Sequence, residues 1–186
     1  MTIVLNGTTG ITNTGALSVT GITTLGALGS SVITSGTAQA STSGTSIDFT
    51  GIPSWVKRIT VMLNGVSTNG TSVPMVQLGS GSITASGYTG TVTNIGTGSG
   101  TAAAVSIGNY LVAAWTAASV LNGSITIELL GSNIYVIKGV LAFTNSAANA
   151  ISVSNVTLGG ALDRVRITAF NGTDTFDAGS INILYE

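Results

Sequence analysis

Cysteine and histidine are both missing from this 186-residue chain, and charge nearly so: Asp, Glu, Lys and Arg together make up 6% of it, for a net charge of −1. Without cysteine there are neither disulfides nor thiolate metal sites. Without histidine the usual general base and the commonest transition-metal ligand are gone too. Together these absences exclude an ordinary zinc site and a conventional nucleophile–base pair, so we expect no enzyme, no metal and no cofactor. The five basic residues, Lys57, Arg58, Lys138, Arg164 and Arg166, are too few and too dispersed to neutralise a phosphate backbone, which argues against a nucleic-acid partner. The longest apolar tract, YLVAAWTAASVL at residues 110–121, is broken by Thr116 and Ser119 and is too short to span a bilayer. The amino terminus, MTIVLNGTTG, lacks the basic and apolar regions of a signal peptide.

What is present is glycine (26 residues), threonine, serine and a large apolar share (44%), giving a mean hydropathy of +0.56. Soluble domains ordinarily carry about a quarter charged residues. A chain this apolar and this poor in charge exposes sticky surface as a monomer, so its surface is expected to be covered by copies of itself or by a larger particle. Composition favours a building block over a free enzyme.

The first 44 residues contain no charge and carry an internal repeat. TGITNTGAL at 9–17 and TGITTLGAL at 20–28 agree at seven of nine positions, eleven residues apart. Ile11, Leu17, Ile22 and Leu28 are the apolar members, and one chain cannot close a core with so few. Repeats that cannot bury their own faces need stacked neighbours, so these four residues are expected to anchor or oligomerise the protein. Residues 29–44, GSSVITSGTAQASTSG, read as a linker. Fully extended, about forty residues reach on the order of 130 Å, enough to cross onto a neighbouring subunit.

Residues 43–70, SGTSIDFTGIPSWVKRITVMLNGVSTNG, separate this leader from the body. Ile47 and Phe49 alternate with Ser46 and Asp48, and Ile59, Val61 and Leu63 with Thr60 and Met62, the pattern of strands with one buried face. Gly51–Ser54 is a proline turn, and Asn64-Gly65 predicts a two-residue hairpin. The run SIDFTGIPSWVKRITVMLNGVSTNGTS resembles the segment that opens the C-terminal module of many bacteriophage tail-fibre and other virion-surface proteins, and a weaker likeness extends over residues 47–186. The leader's VTG-x-TTL units likewise resemble the shafts of trimeric phage fibres. The resemblance implies a place on a phage particle and a homotrimer. It brings no catalytic motif and no site residues.

Downstream, residues 73–78 predict a short strand at a sheet edge because of Pro74. Residues 79–87 and 96–101 read as Gly/Ser loops free to contact a host surface. The segment 102–121 predicts two strands, or a strand and a short helix. Asn122-Gly123 predicts a turn into a strand with Ile125, Ile127 and Leu129 on one face. Residues 133–144 are apolar on both faces, Ile134, Val136, Val140 and Ala142 on one and Tyr135, Ile137, Leu141 and Phe143 on the other. A strand apolar on both faces is covered on both. We assign Tyr135, Ile137, Leu141 and Phe143 to a subunit interface, with a central strand under an overlying loop as the alternative. Strands carrying Ile151, Val153, Val156 and Leu158, then Val165 and Ile167, then Ile181, Ile183 and Tyr185 complete the chain. The expected fold is all-β: an antiparallel β-sandwich of jelly-roll type at 45–186, behind an extended N-terminal β-repeat arm at 1–44.

Few residues are left for chemistry. Among the six acids only Asp174 and Asp177 lie close together. Two carboxylates could serve glycoside cleavage or a cation, but their spacing matches no calcium loop, and a solvated turn is the plainer reading. Arg164 and Arg166 are expected to pair with Asp163 and Glu186. Trp55 and Trp115 offer aromatic faces to a sugar, against the usual task of closing a core. The functional expectation is a structural virion component, either a tail fibre or tail appendage or a capsid decoration (cement) protein, with a carbohydrate-binding adsorption module as the reading from a different class.

Overall fold

A computed structural model describes residues 33–96 and 99–186. Those residues carry fourteen antiparallel strands and no helix: β1 (Thr34–Ser35), β2 (Gln39–Ala40), β3 (Ser46–Thr50), β4 (Arg58–Thr68), β5 (Pro74–Ser80), β6 (Ser82–Ile83), β7 (Thr89–Gly96), β8 (Ser99–Val105), β9 (Asn109–Tyr110), β10 (Leu121–Gly131), β11 (Ile134–Phe143), β12 (Ala148–Thr157), β13 (Arg164–Ala169) and β14 (Phe176–Tyr185). They form two sheets. The larger runs β1-β14-β4-β10-β11-β12-β7-β8, with β2 also on β14; the smaller runs β3-β13-β5-β6, with β9 on β5. The β-sandwich expected from the alternating strands is present. Its large sheet contains the meander β10–β11–β12, two hairpins in succession.

The core lies between the sheets. Val61, Leu121, Ile125 and Ile137 point into it from the large sheet, and Val76, Leu78, Val165 and Ile167 from the small one, all essentially without solvent exposure. Each such side chain gains about 1.5–3 kcal/mol from burial. Leu111, Val112 and Trp115 close one end from the irregular stretch after β9. That stretch holds no helix: residues 102–121 resolve into the end of β8, the two-residue β9, turns and the first residue of β10.

Several turn signals act differently from expectation. Asn64-Gly65 makes no hairpin; β4 continues through it as a bulge, with Gly65 at φ 66° and its N–H donated to Asn122 Oδ1. The registers of β4 with β10 and with β14 both shift beside it. Both flanks of β4 already have partners, so the extra residue is absorbed as a bulge and not as a reversal. Asn122-Gly123 is likewise inside β10. The β10–β11 reversal falls at Ser132 and Asn133, both at positive φ, the geometry of a type I′ hairpin. Pro74 opens β5, which is interior between β13 and the β6 and β9 partners, and so avoids the ladder loss by position in the strand and not at an edge.

The boundary at residue 44 also moves. Residues 33–44, expected to be linker, are held against β14: Gly36 N–H donates to Ile183 O, Ser41 N–H to Gly179 O, and the Ser41 hydroxyl to Ala178 O. Backbone partners on an open sheet edge supply what the side chains of this small, polar segment cannot. Of the expected loop at 96–101, Gly96 belongs to β7 and residues from 99 to β8, while 97 and 98 lie outside the described residues.

One buried tyrosine ties the sheets together. The Tyr88 hydroxyl, just before β7, accepts the Leu78 N–H of β5 at 2.6 Å. Burial pushes its pKa up from 10.0 to about 12, against a smaller lowering by the Leu78 bond. A tyrosine that holds its proton more tightly in the fold stabilises below pH 10, where both states are protonated. That stability is lost as the unfolded chain ionises first, between pH 10 and 12, on the order of 2–3 kcal/mol in all. Denaturant unfolding of the native chain and Tyr88→Phe should therefore differ by about 1–3 kcal/mol at pH 8, where phenylalanine orphans the Leu78 amide. The gap should close by pH 12. A gap independent of pH would contradict the buried, hydrogen-bonded phenol.

Candidate functional site

The alternation along β12 is inverted. Ala150, Ser152, Ser154 and Val156 face the core, whereas Ile151 and Val153 face outward with 43% and 50% of their surface exposed. The cause lies in β9. Asn109, fully buried, donates from Nδ2 to the Ser152 hydroxyl at 3.1 Å and accepts the Ser154 hydroxyl at 2.8 Å on Oδ1. A slip of one residue would turn Ile151 and Val153 inward and strand Asn109 without partners. The polar network thus holds two β-branched side chains in water.

They are not alone there. Val140 of β11, 65% exposed, is the cross-strand partner of Ile151, and Ile95 of β7 is half exposed beside Asn149. Ala102 and Ala104 of β8 pair with Thr93 and Thr91 and continue the face to the sheet's last strand. From residue 89 to 105 there is no charged residue and no proline. Among the described residues β8 pairs with β7 alone. Free edges are usually blunted by lysine, proline or bulges; this one carries none of them.

The residues assigned to an interface from sequence lie elsewhere. Tyr135, Ile137 and Leu141 are buried in the core, with the Tyr135 hydroxyl accepting Leu162 N–H, and Phe143 packs against the core beside Trp115. The open face of the strand is that of Val136, Lys138 and Val140, so the face read as apolar also carries a charge that the Val/Ile pattern passes over. Ile11, Leu17, Ile22 and Leu28 lie outside the described residues. Trp115 is 6% exposed and its indole N–H donates to Thr68 Oγ1 at 2.7 Å, so it closes the core and offers nothing to a sugar. Trp55 is 54% exposed and tilts 49° against Tyr185, ring centroids 6.0 Å apart.

Next to that aromatic corner is a cleft of about 390 Å³ between β3, β14 and the β1–β2 segment. Phe49, Ile52, Ile183 and Tyr185 give it apolar walls; Thr37, Gln39, Asp48 and Thr50 give it polar ones. Asp48 is held in a two-pronged pair by Arg166, at 2.7 and 3.0 Å, which raises the arginine's pKa. Arg164 grips Asp163 in the same way and lowers that carboxyl's pKa. Arg164 thus has the expected partner, whereas Glu186 pairs with Arg58 and Lys138 with Glu128.

Asp174 and Asp177 do not converge. Asp174 accepts Ser72 N–H at 2.9 Å and the Asn171 side-chain amide at 2.6 Å, joining two loops; Asp177 accepts the Ser67 hydroxyl. Both carboxylates are occupied with structure. Among the described residues no three acids gather in a way that could hold a metal ion. Comparison with protein-family models, with curated proteins and with solved structures found no match in any of the three.

Proposed function

We propose that this chain is a non-enzymatic structural component of a bacteriophage virion, a homotrimeric tail fibre or tail appendage anchored through its N-terminal arm, whose sandwich assembles through the outer face of the large sheet. The observation that carries the reading is the outward pair Ile151 and Val153, held in solvent by a buried polar network while serines occupy the core side. Exposed β-branched residues on a face whose nearest charge, Lys138, is already paired with Glu128 are stable in isolation only at a cost, which a second copy removes by covering them. The resemblance of residues 46–72 to phage surface proteins supplies the particle; the uncharged edge at β8 supplies a route to self-association.

Light scattering on the recombinant chain tests the assembly, and electron microscopy of virions tests the place. The expected mass is about three times 18.4 kDa, with antibody label confined to the tail. A monodisperse monomer would overturn the assembly, and label spread over the head would replace the tail reading with capsid decoration.

A further inference from the structure

We propose that the cleft beside Trp55 is a binding site for a neutral sugar, one or two hexose rings of a glycan. A sugar ring shows a recogniser two kinds of surface, patches of C–H on its faces and hydroxyls around its rim, and no charge. Trp55 and Tyr185 supply the first kind of partner as a tilted corner, 49° apart. Thr37, Thr50 and Gln39 supply the second, with hydroxyls that donate or accept and an amide fixed by its bond from Nε2 to Asp48 O at 2.8 Å. The volume, about 390 Å³, falls in the range of small-molecule sites.

Charge narrows the ligand class. The cleft's one carboxylate, Asp48, spends both oxygens on Arg166 and takes a further bond from the Ser46 hydroxyl at 3.2 Å. The pair is neutral, and no lysine or arginine lines the cleft to take a phosphate or a sialic-type carboxylate. The platform is also preformed. Ile52 N–H donates to Asp163 O, Val56 N–H to Pro53 O and Lys57 N–H to Glu186 O, so the turn carrying Trp55 is tied on both sides. Little ordering is left to oppose binding. This inference is independent of the assembly surface, which lies on β7, β8, β11 and β12.

The chain's two tryptophans make the test direct, because Trp115 is buried and Trp55 is not. The full-length protein is titrated with glucose, galactose, mannose, N-acetylglucosamine and their β-linked disaccharides, and with inorganic phosphate as the charged control. At least one sugar should shift the emission to the blue, protect it saturably from acrylamide and give saturation-transfer NMR signals; phosphate should change neither the emission nor its quenching. Trp55→Ala should lower the transfer signal at least tenfold, Trp55→Phe should keep part of it, and Thr37→Leu should weaken it several-fold. All three changes are at exposed or edge positions and should leave the melting temperature and the oligomer mass unchanged. The proposal falls if no sugar in the panel gives transfer, or if transfer survives Trp55→Ala. It also falls if Trp55→Ala changes the oligomer mass, which would make the platform a contact between copies.

Discussion

Asn109→Leu is expected to destabilise the chain by about 3–5 kcal/mol, a large part of the stability an ordinary domain possesses. Leucine approximates the volume but leaves the Ser152 and Ser154 hydroxyls buried with their bonds broken. Each orphaned group costs about 1–3 kcal/mol. The stronger half of the expectation is the rescue. Removing both sides of a buried polar interaction can be nearly neutral, so Asn109→Leu with Ser152→Ala and Ser154→Ala should recover most of the loss. Each serine-to-alanine change removes one oxygen and adds no atom, so neither brings new bulk to the core side of β12. Urea unfolding of the four chains measures both effects. A mild single variant, or a triple no better than the single, would mean that the network does not fix the position of β12.

That network also explains why the sequence was legible in some places and misleading in others. Where one face meets the core and the other meets water, as in Ile47 and Phe49 of β3 or Val165 and Ile167 of β13, the period of two reads correctly. In β12 the period is equally clear but its phase is set by Asn109, forty-three residues upstream of Ser152, in a segment whose apolar composition hides it. Nothing local to ISVSNV indicates that serine goes in and isoleucine out. The same holds for β11: two apolar faces are legible, but which is open depends on the sheet opposite. Asn64-Gly65 is a genuine positive-φ signal, yet whether it reverses the chain or bulges it depends on β10 and β14 lying alongside. Of the two tryptophans, Trp115 sits in an apolar run and is buried, while Trp55 follows a proline turn and is exposed. Its partner Tyr185 is 130 residues away in the chain, so no reading of neighbouring residues brings the aromatic corner together.

The triple variant Val140→Lys, Ile151→Glu, Val153→Glu is expected to convert the proposed trimer to monomer, weakening association at least about a thousandfold. The choice of charges separates assembly from folding. Val140 and Ile151 are cross-strand partners, as are Lys138 and Val153, so every new charge faces an opposite one within the same sheet. Such surface pairs change monomer stability by no more than about 1 kcal/mol. Between two copies the same groups must lose water, at several kcal/mol for each ion that finds no partner. About 4 kcal/mol is already a factor of a thousand in affinity. Light scattering should therefore show a fall to 18.4 kDa, while circular dichroism and the melting temperature at low protein concentration stay close to those of the native chain. If the mass stays that of an oligomer, copies associate elsewhere, and the inverted pattern of β12 needs another occupant. If instead the variant fails to fold at all, the single change Val153→Glu, opposite Lys138, decides the question. It adds one charge beside Lys138, which it would share with Glu128, and an oligomer that tolerates it without loss of affinity does not use this face.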